Sequence, residues 1–143
     1  MPLYRHEASP WDSGFSTGLA SSALRLVQNS AGVPPQEIAV ISPYSAQVRL
    51  LTSRTPDPKV EIDSVDGFQG REKELVIVSL VRSNMEGEMG FLNDTRRMNV
   101  AMTRARRKLI VIGDSATLSS IKFYGDFMKY AESHGIYKSA WEL

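Results

Sequence analysis

The feature that most constrains the fold is the stretch Leu75 to Val81, apolar at six of its seven positions. A helix face or a half-exposed strand would interrupt such a run with polar residues. A strand covered on both faces requires it, as the strands of parallel sheets do. That sheet needs helices above and below, and the chain supplies them in alternation. Between Gly18 and Ala31 the residues Ala20, Ala23, Leu24 and Val27 recur at helical spacing, until Gly32, Pro34 and Pro35 stop the helix. Ile38 to Ile41 reads as a strand, Ala46 to Ser53 as a helix broken by Thr55-Pro56-Asp57-Pro58, and Val60 with Ile62 as a second strand. After the strand at Leu75, Asn84 to Asn93 is a loop, Asp94 caps a helix running to about Arg106, and Leu109 to Ile112 is a fourth strand. A last helical region holds Phe123, Phe127, Tyr130 and Ala131 and ends near Gly135.

This order predicts an α/β fold with a mainly parallel sheet and helices on both faces. The 143 residues suit one domain of that kind, expected over 18–143, with 1–17 as an aperiodic leader or linker rich in Ser, Gly and Pro. In such folds ligands gather beyond the carboxyl ends of the strands, here near Ser42 to Tyr44, Asp63 to Arg71, Arg82 to Ser83 and Gly113 to Asp114.

Composition narrows the chemistry. Cysteine is absent, which excludes disulfides, thiolate metal sites and cysteine nucleophiles. His6 and His134 stand too far apart in sequence to suggest a metal site or a triad, and no metal constellation is expected. The start of the chain has no signal-peptide pattern and no apolar run is long enough for a membrane span, so an intracellular, cytoplasmic location is expected, nuclear if the source is eukaryotic. The net charge of +1 conceals an asymmetry. Arg96, Arg97, Arg104, Arg106, Arg107 and Lys108 crowd into thirteen residues, with no acid between Thr95 and Gly113. That pattern suits either a solvated helix face or an anion site.

Taken as a helix, Arg96 to Lys108 buries Met98, Ala101, Met102 and Ala105 in one stripe, so the methionines belong to the core. Arg97 and Arg104, seven apart, then point the same way, and Asn99 and Thr103 share another line. Two guanidiniums on one face suit either a phosphate or bridges to neighbouring acids. In Asp63-Ser64-Val65-Asp66-Gly67-Phe68-Gln69-Gly70-Arg71-Glu72, two glycines three apart allow close backbone approach to a ligand or simply make turns. Its hydroxyls and amides could hold phosphates, and Glu72 could accept from ribose hydroxyls. Ser42-Pro43-Tyr44 offers a hydroxyl to phosphate and a ring for stacking, or a ring packed over the sheet edge.

Val65-Asp66-Gly67-Phe68-Gln69-Gly70-Arg71-Glu72-Lys73-Glu74 and Arg96-Arg97-Met98-Asn99-Val100-Ala101-Met102-Thr103-Arg104-Ala105-Arg106 resemble motifs V and VI of superfamily 1 helicases. Over roughly Val33 to Leu143 the chain resembles the second RecA-like domain of that superfamily. The branch is the 5′-to-3′ one containing the nonsense-mediated decay RNA helicase and the immunoglobulin-mu-binding helicase. Leu3-Tyr4-Arg5-His6 only partly echoes the family's Tyr-Arg-Met-His motif and lies too close to Ser42, a coincidence of composition.

The resemblance implies a RecA-like P-loop NTPase fold without its own Walker A loop, serving as the C-terminal motor domain of an ATP-dependent DNA or RNA helicase. It implies Arg104 as the arginine finger on the ATP γ-phosphate, with Gly70, Glu72 and Arg97 also on the nucleotide side. Ser42, Pro43, Tyr44 and Ser64 fall near the nucleic-acid backbone, and Gln69 and Thr103, with Arg97, link the two sites. The implied cofactors are ATP and Mg2+, held mainly by a first motor domain that this chain lacks. The implied partners are single-stranded nucleic acid and the N-terminal RecA-like domain of the same protein. The isolated chain is expected to be inactive, since it has no phosphate cradle or Walker B carboxylates. The alternative is a free-standing or degenerate RecA-like module that binds nucleic acid without catalysis.

Overall fold

A computed structural model describes residues 2–5, 24, 32–43, 45–55, 57–68, 70–80, 93–113 and 115–139. Tyr44, Gln69, Val81, Arg82, Ser83, Asp114, the 84–92 part of the expected loop and all of the expected helix over 18–31 except Leu24 lie outside that set. The strands are β1 (Pro2–Arg5), β2 (Ile38–Ser42), β3 (Glu61–Ser64), β4 (Lys73–Leu80), β5 (Ala105–Gly113) and β6 (Ile136–Ser139). The helices are α1 (Ser45–Arg54), α2 (Thr95–Met102), α3 (Ser115–Leu118) and α4 (Lys122–His134). The strand order is β3-β2-β4-β5-β1-β6, and every pairing is parallel.

The all-apolar run takes the place its composition demands: β4 lies between β2 and β5, and Leu75 to Leu80 are buried throughout. Alternation along the strands then makes two cores. Ala39, Ile41, Val76, Val78, Leu80 and Val111 face Phe68, Met98, Ala101, Met102, Leu118 and Tyr124. Ile38, Val40, Leu75, Ile77, Ile110 and Ile112 face Leu24, Leu51 and Val60 on the other side. Each large side chain so buried contributes about 1.5–3 kcal/mol. The expected α/β fold, a parallel sheet covered on both faces, is therefore what the chain adopts.

Three expectations are corrected. The helix opened by Asp94, whose carboxylate accepts from the Arg97 N–H at 3.2 Å, ends at Met102 and not near Arg106. Its helical apolar period continues into Ala105, but β4 recruits the chain from Ala105 onward, and a ladder reaching Leu80↔Gly113 outweighs the local preference. Thr103 closes the helix, its hydroxyl donating to the carbonyls of Asn99 at 2.9 Å and Val100 at 3.0 Å. The last helical region is two helices, parted by Ser119, Ser120 and Ile121 and followed by the unexpected strand β6. Finally, Pro2–Arg5, inside the expected leader, forms β1 between β5 and β6. Neither short strand has an apolar run of its own to announce it, and both exist through pairing with distant partners.

Candidate nucleotide and nucleic-acid interface

A wholly parallel sheet puts every carboxyl strand end on one edge and every amino end on the other. The residues singled out in the sequence divide between these edges. At the carboxyl edge, Ser42 ends β2 in register with Ser64, which ends β3. Pro43, Ser45, Ser64, Val65, Asp66, Arg97 and Met98 line a cavity of about 180 Å³ there. Ser64 is half-buried and its hydroxyl accepts from the Gly67 N–H at 3.1 Å, which shapes the start of the loop.

Ser42 differs from its expected place at the surface. It is fully buried, and its hydroxyl donates to the side-chain carbonyl of Gln47, whose amide donates to Ser79 Oγ at 3.1 Å. Ser42 thus anchors the first turn of α1 to the end of the sheet, beneath the cavity formed in part by Pro43 and Ser45. Gln47 was missed in the sequence, where a polar residue inside a short helix gives no sign that it faces inward.

The amino edge holds the other group. The loop after β3 crosses the sheet face, pinned by Phe68, which is only 1% exposed in the core. Arg71 returns over the Phe68 ring at 4.8 Å and pairs with Glu61 and Asp63. Gly70 has a φ of +80°, a left-handed conformation that a side chain would resist. Glu72 is exposed immediately before β4, and the N–H of the next residue, Lys73, donates to the Arg104 carbonyl at 3.0 Å. Gly70, Glu72 and Arg104 are therefore brought together at the amino ends of β4 and β5. The sequence reading placed Asp63 to Arg71 wholly beyond the carboxyl ends; the structure carries the loop from Ser64 at that edge to Gly70 and Arg71 near the amino ends.

Helix α2 links the two groups. Arg97, near its start, lies 3.1 Å from Asp66 and 3.5 Å from Asp94. Arg104, seven residues on, follows its last turn, beyond the roughly 7.5 Å of axis from Arg97 to Met102 at 1.5 Å per residue. The helix needed for these two arginines to share a face stops before Arg104, whose Nε turns back to donate to the Val100 carbonyl at 3.2 Å. Arg97 thus takes the ion-pair reading. Among the described residues no carboxylate pairs with Arg104, nor with the exposed Arg49, Arg54 and Arg96, whereas Arg71, Arg97, Arg106 and Arg107 each face at least one; Arg104 alone of the unpaired four is half-buried. A half-buried guanidinium without a counter-ion, with the exposed carboxylate of Glu72 at the same strand ends, offers donors and an acceptor suited to the phosphates and ribose of a nucleotide. Among the described residues no group of His, Cys, Asp and Glu could hold a metal ion, and no helix is long and apolar enough to cross a membrane.

The sequence pattern of the AAA domain family matches residues 18–116, well over half of the chain. The chain belongs to that family. The AAA domain is 52% identical over 114 residues to the DNA-binding protein SMUBP-2 of Rattus norvegicus, covering 78% of the chain and 12% of that protein. It is 47% identical over 118 residues to the DNA polymerase alpha-associated DNA helicase A of Saccharomyces cerevisiae, covering 78% of the chain and 17% of that protein. The AAA domain thus spans 12% and 17% of the length of these two curated relatives. In fold it is similar to the C-terminal domain of a possible DNA helicase from Lactobacillus plantarum, with a TM-score of 0.58 at 14% identity over 96% of this chain and 83% of that one. These relatives place the AAA domain with the C-terminal RecA-like domains of superfamily 1 helicases.

Proposed function

We propose that this AAA domain is the C-terminal motor domain of an ATP-dependent DNA or RNA helicase, with the nucleotide at its amino edge and a single strand along its carboxyl edge. The observation that carries the reading is Arg104: its charge meets no carboxylate among the described residues, and its backbone is bonded to both α2 and β4. Bound ATP with Mg2+ supplies the phosphoryl group and its leaving oxygens. Arg104 directs a planar set of donors at the γ-phosphate held by a preceding N-terminal RecA-like domain, and so stabilises charge that grows in the transition state. Glu72 accepts from the ribose hydroxyls, and Gly70 lets the backbone approach. At the other edge Pro43 and Ser64 follow the nucleic-acid backbone above the buried Ser42, and Tyr44 is assigned to the same track from its motif alone.

Arg97 and Thr103 transmit between the edges, because α2 is the rigid element that reaches both, and Gln69 is assigned the same role from its motif alone. A strand that moves Asp66 and Arg97 moves the helix whose far end carries Arg104. The test is ATP hydrolysis by the natural polypeptide that contains this chain, with and without single-stranded DNA or RNA. Arg104→Ala lowers kcat by on the order of 10³ or more while the strand still binds. A natural polypeptide that binds strands but hydrolyses no ATP supports a degenerate nucleic-acid-binding module instead, and wild-type kcat in Arg104→Ala removes the arginine's role.

A further inference from the structure

β4 and β5 run in step from Leu75↔Lys108 to Leu80↔Gly113, but the pair before these is Lys73↔Ala105. One residue of β4, Glu74, therefore stands opposite two of β5, Arg106 and Arg107. An inserted residue of this kind is a β-bulge, which interrupts alternation and re-aims side chains. Here it brings two consecutive side chains to one carboxylate. Arg106 Nε donates to Glu74 Oε1 at 2.9 Å, and Arg107 Nε lies 3.6 Å from Glu74 Oε2. Arg106 also donates to Glu37 Oε2 at 2.5 Å, joining the bulge to the turn that precedes β2. The hydrogen bond to Glu74 raises the Arg106 guanidinium above its ordinary value, with Glu37, Glu74 and Glu72 adding to the pull against desolvation.

The bulge begins two residues after Arg104. The Lys73 N–H that holds the Arg104 carbonyl belongs to the residue just before Glu74, so both strands entering the bulge also border the arginine. On its other side Arg104 is held to α2, by its own N–H to the Ala101 carbonyl at 3.3 Å and by Nε to Val100. We propose that Glu74 and Arg106 are positioning residues for Arg104: the clamped bulge sets where the turn between α2 and β5 presents that guanidinium. The inference rests on the reading of Arg104 as the group that meets the terminal phosphate. Stability is a poor account of the clamp. The side chains of Arg106, Glu74 and Glu37 are 43%, 27% and 34% exposed, and pairs so exposed contribute little to folding. A misplaced charge at a reacting phosphate has a far larger effect on rate.

The experiment compares Glu74→Gln, Arg106→Lys, Arg104→Ala and the double Glu74→Gln/Arg104→Ala in the natural polypeptide that contains this chain, with Glu37→Gln as a milder variant should Glu74→Gln not fold. Glu74→Gln is expected to lower kcat for ATP hydrolysis by about 10- to 100-fold, with KM for ATP, affinity for a single strand and thermal midpoint unchanged. Arg106→Lys keeps the charge without the fork and recovers only part of the rate. The double variant is no slower than Arg104→Ala alone, since Glu74 acts through the arginine. Wild-type kcat in Glu74→Gln and Glu37→Gln, or losses that multiply in the double variant, overturns the positioning role while Arg104 keeps its own. Wild-type kcat in Arg104→Ala overturns both readings at once.

Discussion

The backbone N–H of Lys73 donates to the carbonyl of Arg104 at 3.0 Å, joining the end of the glycine-containing loop to the end of the arginine-rich helix. This backbone bond is one of the links between the two segments that resemble helicase motifs, beside the Arg97–Asp66 and Arg106–Glu74 pairs, and 31 positions separate the residues that make it. On one side of that bond stands Glu72, on the other the guanidinium of Arg104. Their relative position is set by a strand ladder and owes nothing to either segment alone.

Arg104→Lys tests whether charge or shape matters at this turn. Lysine retains the charge but loses the planar fork and the Nε bond to Val100. Turnover of ATP by the natural polypeptide should fall nearly as far as in Arg104→Ala, with affinity for a single strand unaltered. A fully active lysine variant would show that a point charge suffices.

The buried trio at the carboxyl edge is expected to be costly to break. Gln47→Ala leaves the Ser42 and Ser79 hydroxyls inside the protein without their bridge. Losing the glutamine amide costs about 1–3 kcal/mol at the buried Ser79 hydroxyl, and chemical denaturation should show it as a lower midpoint. The same variant loosens the turn carrying Pro43 and Ser45 and should weaken single-strand binding. An unchanged midpoint would mean that water replaces the glutamine.

Two glycines of the loop should respond to alanine for different reasons. Gly70 has open space where a Cβ would go, so Gly70→Ala carries only the left-handed strain, about 1–2 kcal/mol. At Gly67 the added carbon would overlap the Asp63 carboxylate, which accepts from the Ser64 N–H at 2.7 Å, so either that side chain gives up its bond or the loop shifts. Thermal midpoints together with single-strand binding separate the two. Gly67→Ala is expected to impair binding more than Gly70→Ala, because its clash lies at the cavity end of the loop.

Replacing Met98, which is fully buried in the core behind Arg97, should cost about 2–5 kcal/mol as Met98→Ala. Urea unfolding measures the loss directly. A smaller loss would show that α2 settles onto the sheet to fill the gap.

The surface pair Lys122–Asp126, at 2.5 Å, gives a pH dependence of definite sign. The hydrogen bond from Lys122 holds the Asp126 carboxyl below its ordinary value, aided by the charges of Lys122 and Lys129 and opposed by desolvation. A depressed carboxyl contributes stability above its unfolded pKa and loses it as pH falls through the folded value. Asp126→Asn should therefore lie slightly below the wild type at neutral pH and match it in acid, with added salt narrowing the gap. Equal midpoints in neutral low-salt buffer would remove the pair from the stability of α4.

The continuous apolar runs Leu75 to Leu80 and Ile38 to Ile41 and the helical spacing of Met98, Ala101 and Met102 were legible because burial imposes a local pattern on each. The segments of the candidate interface were legible too, since Gly70, Glu72, Arg97 and Arg104 sit in two long motif-like stretches. Gln47, Glu74 and the inward turn of Ser42 were not legible. Each depends on a partner distant in the chain or on a side-chain direction that a single polar letter does not disclose.

By itself the sequence determined a parallel sheet with two cores and the residue types available at its rims, because apolar patterning is a local consequence of which faces lose water. Only the tertiary structure decided that α2 ends at Met102, that β1 and β6 join the sheet, and that Arg97 and Arg104 belong to opposite edges. Those outcomes depend on hydrogen bonds between residues far apart in the chain. Pairing across β4 and β5 overrode the helical tendency of the arginine segment and, by admitting one extra residue opposite Glu74, set the turn on which Arg104 stands.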